Sequence, residues 1–177
     1  KRYRLQSKII LVTTAVLILL PAIFFFLSDF AGFSMGKRIL ASFFQSVTLR
    51  TAGFNTADLG AMNDSSKAIM TLMMLIGGSP GSTAGGMKTT TIAVLILNAF
   101  ATFGREPETE VFGRRFDNTV VKNAATIAIL YFFLFFTGGI AISQIEHVAL
   151  SDCLFETASA VGTAGLTLGI TTELGLV

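Results

Sequence analysis

Three apolar segments of the length needed to cross a membrane dominate this chain. Residues 9–30 and 120–142 carry one charged residue each, and about 20 helical residues are enough to span roughly 30 Å of hydrocarbon. Only 14% of the 177 residues are charged and 52% are hydrophobic, whereas soluble domains are about 25% charged. The chain is therefore predicted to be an all-α integral membrane protein embedded in a lipid bilayer.

The third apolar segment, residues 64–103, is interrupted in its middle. As one straight helix its 40 residues would be about 60 Å long, roughly twice the hydrocarbon thickness. Five glycines and a proline within residues 77–86 exclude a stable helix there. We predict a helix that resumes over residues 89–103 after a loop inside the membrane.

Two interpretations of this loop stay open, because irregular backbone at membrane depth must be buried in protein or line a watery cavity. It either packs closely against a neighbouring helix or forms a flexible barrier inside a pore. Lys88 is either a pore residue or an ordinary lysine that reaches the membrane interface. The candidate gating residues are Gly77, Gly78, Ser79, Pro80, Gly81, Ser82, Thr83, Ala84, Gly85, Gly86 and Lys88.

Two helices too short to span the membrane each lead into the tripeptide Thr-Ala-Gly. Residues 38–49 precede the first copy at 51–53, and residues 151–160 precede the second at 163–165. A short apolar helix followed by a glycine-bearing polar stretch is typical of a re-entrant pore loop. A glycine is also common after any helix, so a simple helix C-cap is the alternative for each copy.

The two tripeptides belong to an internal repeat. Sliding the chain by 112 positions places Thr51 on Thr163, Phe43 on Phe155, and the first apolar segment on residues 120–142. The repeated unit is a span, a short pore helix, a glycine loop and a second span. The second copy stops at Val177 before a closing span, so we expect this chain to be part of a longer polypeptide.

The repeated loops suit a potassium site made of backbone atoms. Rings of carbonyl oxygens can replace the hydration shell of potassium, and glycine adopts the dihedral angles that this requires. The pore helices would direct their negative C-terminal ends at the ion. Arg50 is expected to point away from the ion path, toward an acidic partner. The candidate filter residues are Thr51, Ala52, Gly53, Phe54, Gly162, Thr163, Ala164 and Gly165.

Charged and reactive residues set the topology and exclude several functions. Basic residues cluster before the first span and around residues 105–122, which assigns both regions to the cytoplasm. The net charge of +2 gives no reason to expect nucleic acid, and no nucleotide loop, nucleophile–base pair or metal-ligand spacing predicts an enzyme. Asp152 and Glu156 are interpreted as pore-helix or vestibule contacts, with cation attraction as the alternative. The single histidine, His147, and the single cysteine, Cys153, are interpreted as structural.

The chain carries Ser-Val-Thr-Leu-Arg-Thr-Ala-Gly-Phe-Asn-Thr over 46–56 and Gly-Gly-Ser-Pro-Gly-Ser-Thr-Ala-Gly-Gly-Met-Lys-Thr-Thr over 77–90. Both stretches resemble the Trk/Ktr/HKT superfamily of potassium transporters, and they are most similar to the membrane subunit of bacterial Ktr systems. The resemblance implies four span–pore–span repeats around one pore. Residues 1–104 would be the third repeat, 105–118 a cytoplasmic connection, and 119–177 the first span, pore helix and filter loop of the fourth.

The same resemblance implies a multi-pass protein of the plasma membrane that forms homodimers. These would bind a cytosolic ring of nucleotide-binding regulatory subunits, and sodium would act as an activator. The remaining repeats of the same polypeptide would complete the pore.

Two transport functions are compatible with the sequence. The first is potassium uptake through a carbonyl-lined filter gated by the intramembrane loop. The second is a sodium-coupled secondary transporter that binds substrate at the broken helix near the midplane. The parallel repeat favours the first, because many such carriers use inverted repeats. A membrane scaffold that transports nothing is a third, weaker alternative.

Overall fold

The computed structural model describes residues 5–104, 110–111, 114–115 and 117–172. The predicted basic cluster at residues 1–4, Arg105 and the last residues, 173–177, lie outside these ranges. The described elements are almost all helical, with one short antiparallel strand pair between the fourth and fifth helices. They are α1 (Leu5–Leu27), α2 (Met35–Thr48), α3 (Asp64–Leu75), α4 (Thr89–Phe103), β1 (Glu110–Val111), β2 (Arg114–Arg115), α5 (Asn118–Glu146), α6 (Leu150–Gly162) and a 3₁₀ turn (Ile170–Thr172).

In the described part of the chain, α1 and α5 are long and apolar enough to cross a membrane. Large apolar side chains cover their outer faces, as shown by Leu20 and Phe133, which are 62% and 63% exposed. A surface of this kind is stable in contact with hydrocarbon or with other apolar protein. The third predicted span is divided into α3 and α4, and α4 begins at Thr89, where the helix was predicted to resume. The predicted helical architecture is confirmed, with two helices of the length and hydropathy expected of membrane spans.

The helix α2 is attached to α1 by polar contacts to the α1 backbone. The Ser46 hydroxyl donates to the carbonyl of Ile18. Arg38 Nε donates to the carbonyl oxygen of Phe26 at 2.7 Å, and its guanidinium lies 4.0 Å from the centre of the Phe26 ring. The cation therefore gains both a hydrogen bond and a cation–π contact, which fix the angle at which α2 returns along α1.

The helix α6 packs against α5 through two adjacent glycines. A Cβ atom at Gly138 would lie 2.9 Å from Thr157 Cγ2, and one at Gly139 would lie 2.6 Å from Leu154 Cδ2. Both distances are too short for real carbon atoms. Small residues at membrane helix interfaces allow this close approach, so each short helix is seated against the long helix that precedes it.

The start of α3 is held by Asp29, which follows α1. Its carboxylate accepts the backbone N–H of Asn63 at 3.0 Å and the hydroxyls of Ser66 and Ser28. Desolvation raises the pKa of Asp29, but these hydrogen bonds outweigh it, so the pKa lies below its ordinary value. The carboxylate satisfies donors at the first turn of α3, where a negative charge is also favoured by the helix dipole.

The core lies where α3 meets both short helices and their following loops. Its residues are almost completely buried and come from α1, α3, α5, α6 and the segments that follow α1, α2, α3 and α6. They include Phe25, Leu49, Met70, Met74, Leu75, Met87, Phe155, Ala158, Ala164 and Leu166. The Thr-Ala-Gly loops and the loop between α3 and α4 are thereby supported by one shared apolar cluster.

Candidate functional site

The two Thr-Ala-Gly loops have the same unusual backbone conformation. Thr51 has φ 60° and Gly53 has φ 73°, while Thr163 has φ 52° and Gly165 has φ 77°. The alanine between them is not left-handed in either copy. A β-branched residue with positive φ is a strained outlier, and such strain persists at functional sites where surrounding structure enforces it. The repeat found in the sequence is therefore also a repeat of backbone geometry.

The two loops meet face to face through their backbones. A Cβ atom at Gly53 would lie 2.9 Å from the carbonyl oxygen of Ala164 and 3.7 Å from Gly165 Cα. A Cβ atom at Gly165 would lie 3.5 Å from Gly53 Cα. The structure thus brings both predicted filter loops together, and at Gly53 it leaves room for hydrogen alone.

The helices end before the glycines are reached. At the end of α6, the N–H of Thr163 donates to Ala160 O (3.1 Å) and that of Ala164 to Ser159 O (2.8 Å). This hydrogen-bond pair, with a left-handed residue between, is the Schellman arrangement that usually requires glycine. Here Thr163 takes the left-handed position. Gly165 lies two residues later, so helix capping does not explain it.

A hydroxyl from each short helix holds the residue that follows the glycine. Thr48 Oγ1 accepts the Phe54 N–H at 3.0 Å and donates to the Phe54 carbonyl at 2.7 Å. In the second copy, Ser159 Oγ accepts the Leu166 N–H at 2.9 Å. Both hydrogen bonds of Thr48 Oγ1 are to backbone atoms of Phe54, whose side chain is 68% exposed.

Glu156 on α6 fixes the segment beyond the second loop. Its Oε1 accepts Thr167 Oγ1 at 2.7 Å and the Leu168 N–H at 2.8 Å, and its Oε2 accepts Thr171 Oγ1 at 2.6 Å. The side chain is 8% exposed, which makes it a buried carboxylate with three donors. Position 44, its counterpart in the first copy, is Phe44, so the repeat gave no signal for this role.

Replacing Glu156 with alanine is expected to destabilise the protein by about 2 kcal/mol or more, because buried donors are left without an acceptor. Glu156→Gln should cost less, since its oxygen still accepts and the Thr171 hydroxyl can reverse its direction. The measurement is the thermal unfolding midpoint of detergent-solubilised protein. Asp152→Asn, one turn away at a half-buried position, is the control. Equal midpoints for Glu156→Ala and the control would contradict this role.

The loop between α3 and α4 is closed at its base by backbone hydrogen bonds. Met87 N–H donates to Leu75 O at 2.9 Å, Gly77 N–H to Met87 O at 2.8 Å, and Thr89 N–H to Gly78 O at 3.2 Å. A Cβ atom at Gly77 would overlap the carbonyl of Gly85. Glycine is needed here because the backbone segments around residues 77 and 85 are in direct contact. We call residues 76–88 the intramembrane loop.

The intramembrane loop touches both Thr-Ala-Gly loops. The Gly85 N–H donates to Thr163 Oγ1 at 2.8 Å, and Arg50 Nη2 donates to Gly77 O at 3.0 Å. Gly162 packs so closely on α3 that a Cβ atom would overlap Met74 O. Among the described residues, the hydrogen bond of Arg50 goes to a backbone carbonyl and not to the expected acidic side chain.

Lys88 folds back over the intramembrane loop. Its Nζ donates to the carbonyl oxygens of Ala84 (2.5 Å) and Ser82 (3.2 Å). At the tip, Gly81 has φ 86° and open space around it, while the neighbouring residues 82 and 83 are exposed. The lysine therefore stabilises the loop's fold from within.

The two Thr-Ala-Gly loops carry backbone carbonyls and threonine hydroxyls but no acidic side chain. No three His, Cys, Asp or Glu side chains among the described residues are grouped to hold a metal ion. His147 ends α5 in the left-handed conformation, and Cys153 is a buried free thiol.

Comparison with known proteins gives one consistent family. The TrkH family model, described as a cation transport protein, matches residues 5–176. The Ktr system potassium uptake protein B of Bacillus subtilis (strain 168) is 33% identical over 180 residues, covering 98% of this chain and 40% of that protein. The namesake protein of Vibrio alginolyticus is 36% identical over 178 residues, covering 96% and 39%.

A further relative is the potassium/sodium uptake protein NtpJ of Enterococcus hirae, 34% identical over 186 residues, covering 100% of this chain and 41% of that protein. The chain spans about two fifths of the length of these relatives. The resemblance noted in residues 46–56 and 77–90 is thereby confirmed over nearly the whole chain. This chain belongs to the TrkH family of cation transport proteins.

Proposed function

We propose that this chain supplies two of the filter loops of a potassium uptake pore and the loop that gates it. The observation that carries this is the shared left-handed conformation of Thr51, Gly53, Thr163 and Gly165 in two loops that face each other. Strained backbone in two matched, abutting loops is costly. Coordination of a dehydrated cation by backbone oxygens is a function that requires such a backbone and explains why it is kept.

The filter proposal assigns the ion to backbone oxygens of residues 51–54 and 162–165. Their helices α2 and α6 end just before these residues, so each adds the equivalent of roughly half a negative charge near the ion. Thr51 and Thr163 add hydroxyl oxygens at one end. Potassium would be held by many weak dipoles, which allows it to leave as readily as it enters.

The gating proposal rests on the position of the intramembrane loop. Its residues contact the first filter loop through Arg50 and the second through Thr163. An irregular segment of this kind at membrane depth is expected to lie against protein or in a watery path. We propose that it blocks the permeation path beside the filter and moves aside to open it.

Membership of the family also supports a proposal for the organisation of the complete transporter. We propose that residues 1–104 are the third repeat, 105–118 a cytoplasmic connection and 119–177 part of the fourth, in a plasma-membrane protein with two further repeats. Potassium is the transported ion, sodium an activator, and homodimers bind a cytosolic nucleotide-binding ring. Potassium uptake appears in the names of all three relatives and supports potassium as the transported ion. The name of NtpJ also gives sodium as an ion that is taken up.

The test is rubidium uptake into liposomes that contain the full-length transporter. Under an inside-negative potential and with sodium equal on both sides, we expect uptake well above that of empty liposomes, since a filter needs only the ion's own driving force. Uptake that requires an inward sodium gradient in fixed proportion would instead indicate the coupled carrier. A flux equal to that of empty liposomes would point to a scaffold.

A further inference from the structure

Arg50 is a half-buried cation beside the proposed filter that the transport mechanism leaves unexplained. It follows the end of α2 and directly precedes Thr51. Its Nη2 donates to Gly77 O at 3.0 Å, while Nη1 is buried without a partner in the described structure. A positive charge so placed is costly in a membrane protein and is typically retained for function.

The acceptor of Arg50 lies at the end of a helix. Gly77 comes two residues after Leu75, the last residue of α3. Carbonyl groups at a helix C-terminus carry the equivalent of roughly half a negative charge, which stabilises a nearby cation. The direct contact of the guanidinium is the Gly77 carbonyl, which lies beyond the helix, and this hydrogen bond holds only while Gly77 stays in its present position.

Gly77 is also part of the base of the intramembrane loop. Its N–H donates to Met87 O at 2.8 Å, so a residue that fixes Gly77 fixes both limbs of the loop. At the other limb, Gly85 donates to Thr163 Oγ1 at 2.8 Å. Arg50, directly before the first filter loop, therefore binds the start of the intramembrane loop, and Thr163 of the second filter loop binds the loop near its end.

We propose that Arg50 is the positioning residue that holds the intramembrane loop against the filter. This inference rests on the proposed gating function and deepens it. When the loop moves, the guanidinium loses its acceptor and the Gly77 carbonyl loses its donor. Arginine suits this task because its planar guanidinium stays charged and presents several donors in fixed directions.

The first readout is the exposure of the loop tip. Ala84, which is half-buried beside Gly78, is replaced by cysteine in a transporter without other reactive cysteines. The rate of its modification by a water-soluble thiol reagent is then measured. We expect Arg50→Gln to raise this rate at least about tenfold, the scale of a lost hydrogen bond to a charged group. Arg38→Gln, the same change on α2 but bonded to Phe26, should leave the rate unchanged.

The second readout is rubidium uptake without the added cysteine. Arg50→Gln should raise uptake, and should add nothing further when residues 79–84 are also deleted, because both changes release the same loop. Unchanged thiol modification, or an equal rise in Arg38→Gln, would overturn the inference. An altered rubidium-to-sodium ratio that persists after the deletion would also overturn it, because Arg50 would then act on the filter.

Different results would contradict the Arg50 proposal and the gating proposal. Faster modification with unchanged uptake would support the role of Arg50 and contradict gating by the loop. Raised uptake on loop deletion with unchanged modification in the Arg50 variants would do the reverse. Should Arg50→Gln not reach the membrane, Arg50→Lys carries the test. It lacks the planar fork and is expected to accelerate modification, so an unchanged rate in that variant would overturn the inference.

Discussion

Alanine at Gly53 is expected to abolish selective potassium uptake, and alanine at Gly165 is expected to impair it less. Both positions have positive φ, where a Cβ atom costs about 1–2 kcal/mol. The surroundings differ, however. At Gly53 the new carbon would lie 2.9 Å from Ala164 O, whereas at Gly165 its nearest atom is Gly53 Cα at 3.5 Å. Gly53→Ala must therefore displace the opposite loop, and Gly165→Ala need not.

The measurement is rubidium uptake with competing sodium, so that rate and selectivity are both obtained. Gly169→Ala is the matched control, because Gly169 has φ 102° and no atom within 4 Å of an added Cβ. It carries the backbone strain without the contact between the loops. Unchanged rate and selectivity in Gly53→Ala would refute the filter assignment. Equal losses in all three variants would show that strain alone, and not the meeting of the loops, is responsible.

Deleting residues 79–84 is expected to raise rubidium uptake by at least about tenfold. The open state of a closed gate is a minor conformation, populated at roughly 0.1–10%, so removing the barrier allows at least this gain. The structure shows why the deletion is tolerable. The two ends to be joined already lie close together, since a Cβ atom at Gly77, next to Gly78, would overlap the carbonyl of Gly85. The hydrogen bonds between Leu75 and Met87 and between Gly77 and Met87 are retained.

The control for this deletion keeps the length of the loop and changes its tip. Ser82→Ala and Thr83→Ala together remove exposed side chains, so uptake should stay within about twofold of the unaltered transporter because surface changes cost little. A deletion variant that is present in the membrane at normal amounts but shows ordinary uptake would contradict the gating role. Membrane amounts are compared by quantitative immunoblotting.

The sequence predicted the helices well because their physical causes are local. Apolar length predicted the spans that became α1 and α5, and the glycines and proline of residues 77–86 predicted the break before α4. The repeat predicted that residues 51–53 and 163–165 share a structure. Each of these properties follows from the residues in one segment, without knowledge of what that segment contacts.

The contacts between segments were beyond the reach of such reasoning. The partner of Arg50 is a backbone carbonyl. Every residue has one, so the sequence does not indicate which carbonyl is bound. Glu156 binds residues 11 to 15 positions away, and its counterpart is a phenylalanine. The left-handed residue that ends α6 is Thr163, although propensity favours glycine there. In each case the tertiary structure decides, because the interacting groups are distant or belong to the backbone.

The closed base of the intramembrane loop has a consequence for how this protein can vary. Hydrogen bonds across Leu75, Gly77 and Met87 make α3 and α4 a continuous mechanical unit, independent of the residues between them. Insertions or deletions at the tip are then tolerated, since they leave both helices in place. Changes at the base separate the helices and the core beneath them. Engineered insertions at residues 79–84 should therefore leave the thermal unfolding midpoint nearly unchanged, whereas bulky substitutions at Gly77 or Gly86 should lower it.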